Sequence, residues 1–241
     1  MRKFLNWTNL RLMLMFLLVG GLFSFTTQRN NHRKLLQSTV EFLNEEPLFV
    51  THETVNKLLI ENKKHASSIQ KVALDLNNLE STINKHQMIE GAEVYVTVDG
   101  HLKAVVKQKT PVARLFEGRD SYYVDIKGTK MPLSDNYSAR VPLVLGSFEG
   151  ENREKFIALF RFIHQDEFLK KNIIGIEILP NGNVKMKNRN FDFVIDFGTP
   201  VSVEKKLNNY KAFFQKAVQD SLLEKYKIIN LKFTQQVVCS K

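Results

Sequence analysis

Apolar and polar residues follow three different rhythms along this chain. From Leu12 to Thr27 there is no rhythm: Leu-Met-Leu-Met-Phe-Leu-Leu-Val-Gly-Gly-Leu-Phe-Ser-Phe-Thr-Thr is apolar almost throughout. A bilayer span needs roughly 20 such residues. Counting back to Trp7 reaches that length if Arg11 snorkels to the interface, with Trp7 in the aromatic belt. The pattern predicts a tail over 1–9 and an anchor helix over 10–28. A cleaved signal peptide would share the basic start (Arg2, Lys3, Arg11) and the apolar middle. Cleavage needs a small-residue site. The chain offers Phe25-Thr26-Thr27-Gln28 there, which favours a retained anchor. Either way the remainder is exported.

Between Leu35 and Gln108 the order of signals is strand, helix, helix, strand, strand. Leu35–Leu43 reads as a strand. Thr51 is a candidate N-cap, and Val55, Leu58 and Leu59 share one helical face. Asp75 is a second cap, before Leu76, Leu79 and Ile83. After Gly91 the period becomes two. Ala92, Val94, Val96 and Val98 point one way, and Glu93, Tyr95, Thr97 and Asp99 the other. Asp99-Gly100 suits a two-residue hairpin turn, after which Leu102, Ala104 and Val106 resume the alternation.

From Thr110 onward short strands surround two helices. Tyr123–Ile126 and Val141–Leu145 are apolar runs, while Phe156, Leu159, Phe160 and Ile163 have helical spacing. Ile174, Ile176 and Ile178 alternate into Asn181-Gly182, and Val184 and Met186 return. Phe191, Phe193, Ile195 and Phe197 form another strand. Thr199-Pro200 predicts a helix start, with Leu207, Tyr210, Phe214 and Ala217 on its inner face. A final strand places Ile229, Leu231, Phe233 and Val237 on one side, and Asn230, Lys232, Thr234 and Gln236 on the other. The exported part therefore divides into two α+β units, 29–108 and 109–241. The second is a mostly antiparallel sheet with helices on one face.

Charge does not redirect this reading. The net charge is +10, yet six of the 35 basic residues, and no acid, lie in the first 34 positions. That leaves 29 basic against 25 acidic residues, without the clustered face of a nucleic-acid binder. The lone Cys239 excludes an internal disulfide, and the six histidines lack the H-x-x-x-H spacing of a helical metal site. No cofactor is expected.

Nor does a catalytic motif appear: G-x-S-x-G, H-E-x-x-H and P-loop are all missing. Asp125, Glu177 and Asp192 are the only acids worth testing as a hydrolase centre. Asp125 stands before a glycine turn, which is more often a structural position. Recognition is the alternative. A proline-free terminal strand at a sheet edge leaves a row of backbone groups for an incoming strand. An internal strand closing the sheet reads equally well from the pattern. On the edge reading, Lys232 on the polar side favours an acidic partner.

Several segments taken together resemble the bacterial cell-division family FtsQ/DivIB. The short basic tail and single span precede a POTRA-like unit. Thr110-Pro111-Val112-Ala113-Arg114 is similar to the family's P-V-A junction. Tyr123–Leu133 resembles its aromatic-x-D-x-x-G-x-x-x-P stretch. Val141-Pro142-Leu143-Val144-Leu145-Gly146 resembles its L-P-x-x-x-G segment, and Ile229–Phe233 its closing strand. The sequence departs from the family at Gln108-Lys109, where an acid–Arg pair is common. It departs again at Asn230, where Asp is usual, and around Gln87–Ile89, which lacks a proline.

The resemblance implies a non-enzymatic scaffold of the divisome. Such proteins are single-pass in the inner membrane, with the N-terminus cytoplasmic and the bulk periplasmic, and are enriched at the septum. They recruit FtsB/DivIC and FtsL coiled-coil proteins by strand addition and so control septal cell-wall synthesis; contacts with other divisome membrane proteins belong to the same picture. Carried onto this chain, the partner-binding residues are Tyr226, Ile229, Asn230, Leu231, Lys232, Phe233, Thr234, Gln235, Gln236, Val237 and Val238. A basic contact on the last long helix falls on Lys205 or Lys206. The rival readings are an anchored POTRA-type chaperone, dependent on residues 35–108, and a cell-wall hydrolase.

Overall fold

The computed structural model describes residues 7–31, 35–43, 49–60 and 74–241. Two compact units meet at the Gln108–Lys109 bond. Ahead of the first unit's sheet lies helix α1, Trp7–Asn31, longer at both ends than the predicted 10–28. Its 25 residues span about 37 Å at 1.5 Å each, enough for a hydrocarbon core of about 30 Å. Among the described residues it is the one helix long and apolar enough to cross a membrane, with a mean hydropathy of 1.8 and no buried side chain. The hydroxyls of Thr26 and Thr27 donate back to the carbonyls of Leu22 and Phe23. That removes two polar groups from an apolar setting.

The first unit runs β1 (Ser38–Phe42), α2 (His52–Leu59), α3 (Leu76–Asn84), β2 (Ile89–Val96) and β3 (Leu102–Gln108). Its sheet order is β1-β3-β2, with β1 parallel and β2 antiparallel to β3. Both predicted caps form: Thr51 accepts from the Thr54 N–H at 3.2 Å, and Asp75 from that of Asn78 at 3.0 Å. The hairpin differs from expectation. The Thr97 N–H bonds to the His101 carbonyl, so Val98-Asp99-Gly100 is a three-residue loop. Gly100 takes φ +92, as such loops require. Val98 consequently lies in the loop, exposed, and not on the inner face. Gln108, a departure from the family pattern, is buried. Its Oε1 accepts the N–H groups of Phe49 and Val50 at 3.1 and 2.9 Å.

The second unit contains β4 (Pro111–Glu117), β5 (Asp120–Asp125), β6 (Lys130–Met131) and β7 (Leu143–Leu145). Then come α4 (Arg153–Gln165), α5 (Glu167–Asn172), β8 (Ile173–Ile178), β9 (Val184–Asn188) and β10 (Val194–Gly198). Helix α6 (Val203–Gln219), a single 3-10 turn, β11 (Ile228–Asn230) and β12 (Val238–Ser240) complete it. The nine strands form one sheet in the order β12-β11-β10-β9-β8-β7-β4-β5-β6. Most neighbours are antiparallel; β4–β7, β7–β8 and β10–β11 are parallel. One in-register row crosses seven strands: Leu115, Val144, Ile176, Met186, Ile195, Ile229 and Cys239. It faces the helices. Phe156, Leu159, Phe160 and Ile163 of α4 join this core, as do Leu207, Tyr210, Phe214 and Ala217 of α6.

Three local features explain why motif residues stand where they do. Asp125 accepts the N–H groups of Lys127 and Thr129 at 2.9 and 2.7 Å and the Thr129 hydroxyl, closing a turn at Gly128. Gly146 has φ +96, and a Cβ there would fall 2.2 Å from the Ile178 carbonyl oxygen. Helix α6 begins after Ser202, itself at φ +51, and not at Thr199-Pro200 as expected. Helix α5 was not foreseen. Its cap is Asp166, which accepts from the Leu169 N–H and pairs with Lys211 of α6.

Gly146→Ala is expected to destabilise the unit by at least about 2 kcal/mol, because both the backbone angle and the neighbouring carbonyl resist a side chain. Gly175→Ala meets only an ordinary 3.5 Å contact and serves as the control in urea denaturation. A second expectation concerns acid. Burial alone would raise the Asp166 pKa, but the Lys211 ammonium and the Leu169 N–H outweigh it, holding it below the usual carboxylate value. Its stabilisation is therefore present above the unfolded pKa of about 3.9 and is lost as pH falls through the lower folded value. Asp166→Asn should lower the urea midpoint at pH 7 and shrink the difference between pH 7 and pH 3.

Candidate functional site

The predicted terminal strand is two strands. Asn230 Oδ1 accepts the Lys232 N–H at 2.9 Å, an Asx turn that ends β11. Residues 231–237 then fold back, and β12 pairs antiparallel with β11: Ile228 with Ser240, Ile229 with Cys239, Asn230 with Val238. Strand β11 thus lies between β10 and β12 and is closed on both sides. The expectation that Tyr226–Val238 forms one continuous edge strand is corrected on this point. The last strand of the sheet is β12, Val238–Ser240. The turn contains no glycine or proline, so the pattern hid it. The Asn230 side chain was the available signal.

The predicted contact residues accordingly separate by role. Ile229 and Leu231 are core residues, fully covered. Val237 and Cys239 are partly buried against the same core. Burial pushes the Cys239 thiol up, so little thiolate is present at neutral pH. Lys232 is not free for an acidic partner: its Nζ lies 2.6 Å from Asp196, and its stem covers Gly198, where a Cβ would come within 2.7 Å. The Thr234 carbonyl accepts from Asn209 of α6 at 3.0 Å. Tyr226 stacks obliquely on Phe213 at 5.9 Å. Phe233 is 52 % exposed on the β11–β12 connection, flanked by exposed Gln235 and Gln236, and Val238 is exposed on β12.

The two lysines of α6 are resolved by burial. Lys206 is 2 % exposed. Its Nζ donates to the Phe197 and Thr199 carbonyls at 3.0 and 2.9 Å and lies 4.6 Å over the Phe197 ring. Desolvation lowers its pKa, which Asp196 partly offsets. It is a brace for the β10–α6 turn. Lys205 is exposed.

The hydrolase candidates do not converge. Asp125 is buried in its turn on β5, Glu177 is exposed on β8, and Asp192 is exposed ahead of β10. No group of three or more His, Cys, Asp or Glu able to hold a metal exists among the described residues.

What remains, among the described residues, is a sheet whose order stops at the short strand β12, with exposed Phe233 on the connection leading to it and exposed Lys205 on α6. Backbone groups on such an edge can accept another strand. None of the curated proteins compared with the chain matches it. Residues 44–107 match the family model for a POTRA-like domain. Residues 110–240, more than half of the 241, match the one described as FtsQ/DivIB, C-terminal related. The latter range starts with the P-V-A strand and closes on β12, and on that match the chain belongs to the FtsQ/DivIB family of cell-division proteins.

Proposed function

We propose that this protein is a non-enzymatic scaffold of the divisome. Helix α1 anchors it in the inner membrane with the N-terminus cytoplasmic, and both folded units stand in the periplasm at the division septum. A strand from an FtsB/DivIC-type protein, accompanied by FtsL, adds to β12 and thereby controls septal cell-wall synthesis. The observation carrying this reading is the sheet order, which stops at β12. Phe233 supplies an apolar anchor next to that edge, and Lys205 a cation for an acidic partner. Main-chain bonding would provide affinity and the two side chains selectivity.

The experiment follows the division of labour among these residues. Deleting 227–241 would remove Ile229 and Leu231 from the core, so the informative truncation is shorter. Removing 236–241 from the full-length protein in nanodiscs should abolish capture of the cognate FtsB/DivIC–FtsL pair with only a modest drop in melting temperature. Undiminished capture refutes strand addition. Phe233→Glu should weaken capture at least about tenfold, since it places an unpaired charge in a desolvated contact.

The two lysines should behave oppositely. Lys205→Glu is expected to lower affinity with stability unchanged. Lys206→Met leaves two carbonyls without donors and should cost about 1–3 kcal/mol of stability while sparing the affinity of the folded fraction. Calorimetry of each variant, followed by titration with the partner, separates these outcomes.

A further inference from the structure

The helices cover one face of the nine-stranded sheet. The other face carries an apolar floor at its centre. Phe116, Leu143, Leu145 and Ile174 are 36, 47, 54 and 37 % exposed there, around Gly175. Leu143-Val144-Leu145 is apolar on both sides of its strand, and β4, β7 and β8 run parallel. Parallel strands with that composition are normally covered on both faces. These are covered on one. Exposed contiguous apolar surface of this kind marks an interaction site.

The floor is shaped by a bulge. Between the Ile173–Asn188 and Gly175–Lys187 pairs, β8 carries one extra residue. Ile173 therefore turns to the core and Ile174 to the outside, against the simple alternation of the isoleucines. Gly175, lacking a side chain, leaves the depression, a groove of about 620 Å³.

The charges around the groove are unequal. One cross-strand row holds Glu177, Lys185 and Asp196, the last paired with Lys232, so its charges cancel. The next row runs Arg114, Leu143, Gly175, Lys187 and Val194. Among the described residues, its two cations have no carboxylate partner within ion-pair distance. The Arg114 side chain donates to the Ser121 hydroxyl at 3.1 Å, its guanidinium lies 5.4 Å over the Phe116 ring and 6.0 Å over that of Tyr123, and its Nε is buried without a bond. Past Ile174 the groove borders a second depression lined by Arg140, Lys170, Lys171 and Arg189, with Glu167 the one acid. The apolar floor is thus bracketed by uncompensated positive charge.

We infer that this face is a second docking surface, distinct from β12, that takes an acidic amphipathic helix of another polypeptide. Its apolar side lies on Phe116, Leu143, Leu145 and Ile174, and its carboxylates meet Arg114 and Lys187. Those two cations stand three strands apart, about 14 Å at the usual strand spacing. A helix laid across the strands reaches both with acids two to three turns apart.

The test uses the full-length protein in phosphatidylcholine nanodiscs and two fluorescein-labelled 18-residue helical peptides. Both carry leucine on one face; one has glutamate on the other face and one has lysine. The glutamate peptide is expected to bind saturably over empty discs. Lys187→Glu should weaken it at least about fivefold and improve the lysine peptide, and Leu145→Ser should weaken both with an unchanged melting temperature. Binding should persist when residues 236–241 are removed, so loss of strand addition at β12 and loss of this groove are read separately. Equal binding of the two peptides, no saturable binding, or binding lost on that truncation but intact in Lys187→Glu overturns the assignment. Self-association in sedimentation velocity that Leu145→Ser abolishes also overturns it, by giving the face to a second copy of the chain.

Discussion

The row Leu115–Val144–Ile176–Met186–Ile195–Ile229–Cys239 is the constraint on which the second unit rests. Each member comes from a different strand, and strands far apart in sequence must hold one register for the row to close. Because side chains alternate, a slip of one residue in any strand would turn its apolar set away from α4 and α6. Burial of these side chains is worth roughly 1.5–3 kcal/mol each, so a slip is costly. The order of the strands, and with it the identity of the last one, follows from this register.

Most residues that carry the family likeness are framework residues; Phe233, closing the Ile229–Phe233 segment, is exposed instead. Pro111-Val112-Ala113, Asp125 with Gly128, and Pro142 with Gly146 lie on or beside the neighbouring strands β4, β5 and β7. The Arg114 N–H bonds to the Pro142 carbonyl at 3.0 Å, tying two of the segments together. Asp125 supplies acceptors to its turn, and Arg153 of α4 donates to the Gly128 carbonyl. These positions are several strands from β12. The motifs on these three strands therefore speak for the scaffold.

Much of the fold was legible because burial imposes a period. The POTRA-like unit, α4, α6 and the strands around Asn181-Gly182 are amphipathic and keep their apolar residues on one side. Two kinds of feature were not. Helix α5 is a single short turn-and-a-half whose signal was one cap, Asp166. The β11–β12 reversal has no glycine or proline, and only Gln235 interrupts the alternation across the turn, so one strand and two look alike. Burial of Lys206 was equally hidden: it sits beside Leu207 on the inner side of α6, and only the carbonyls of Phe197 and Thr199 explain why a cation is tolerated there.

The bulge at Ile174 shows how the two faces of one sheet can be decoupled. An extra backbone unit in β8 reverses side-chain parity at Ile173 and Ile174, leaving the row at Ile176 in step. Natural selection acting on that insertion, or on the residue it displays, alters what the outer face presents while the packed interior stays as it was. A sheet required to keep one surface fixed for its own integrity thus has a separate dial for the surface it turns outward.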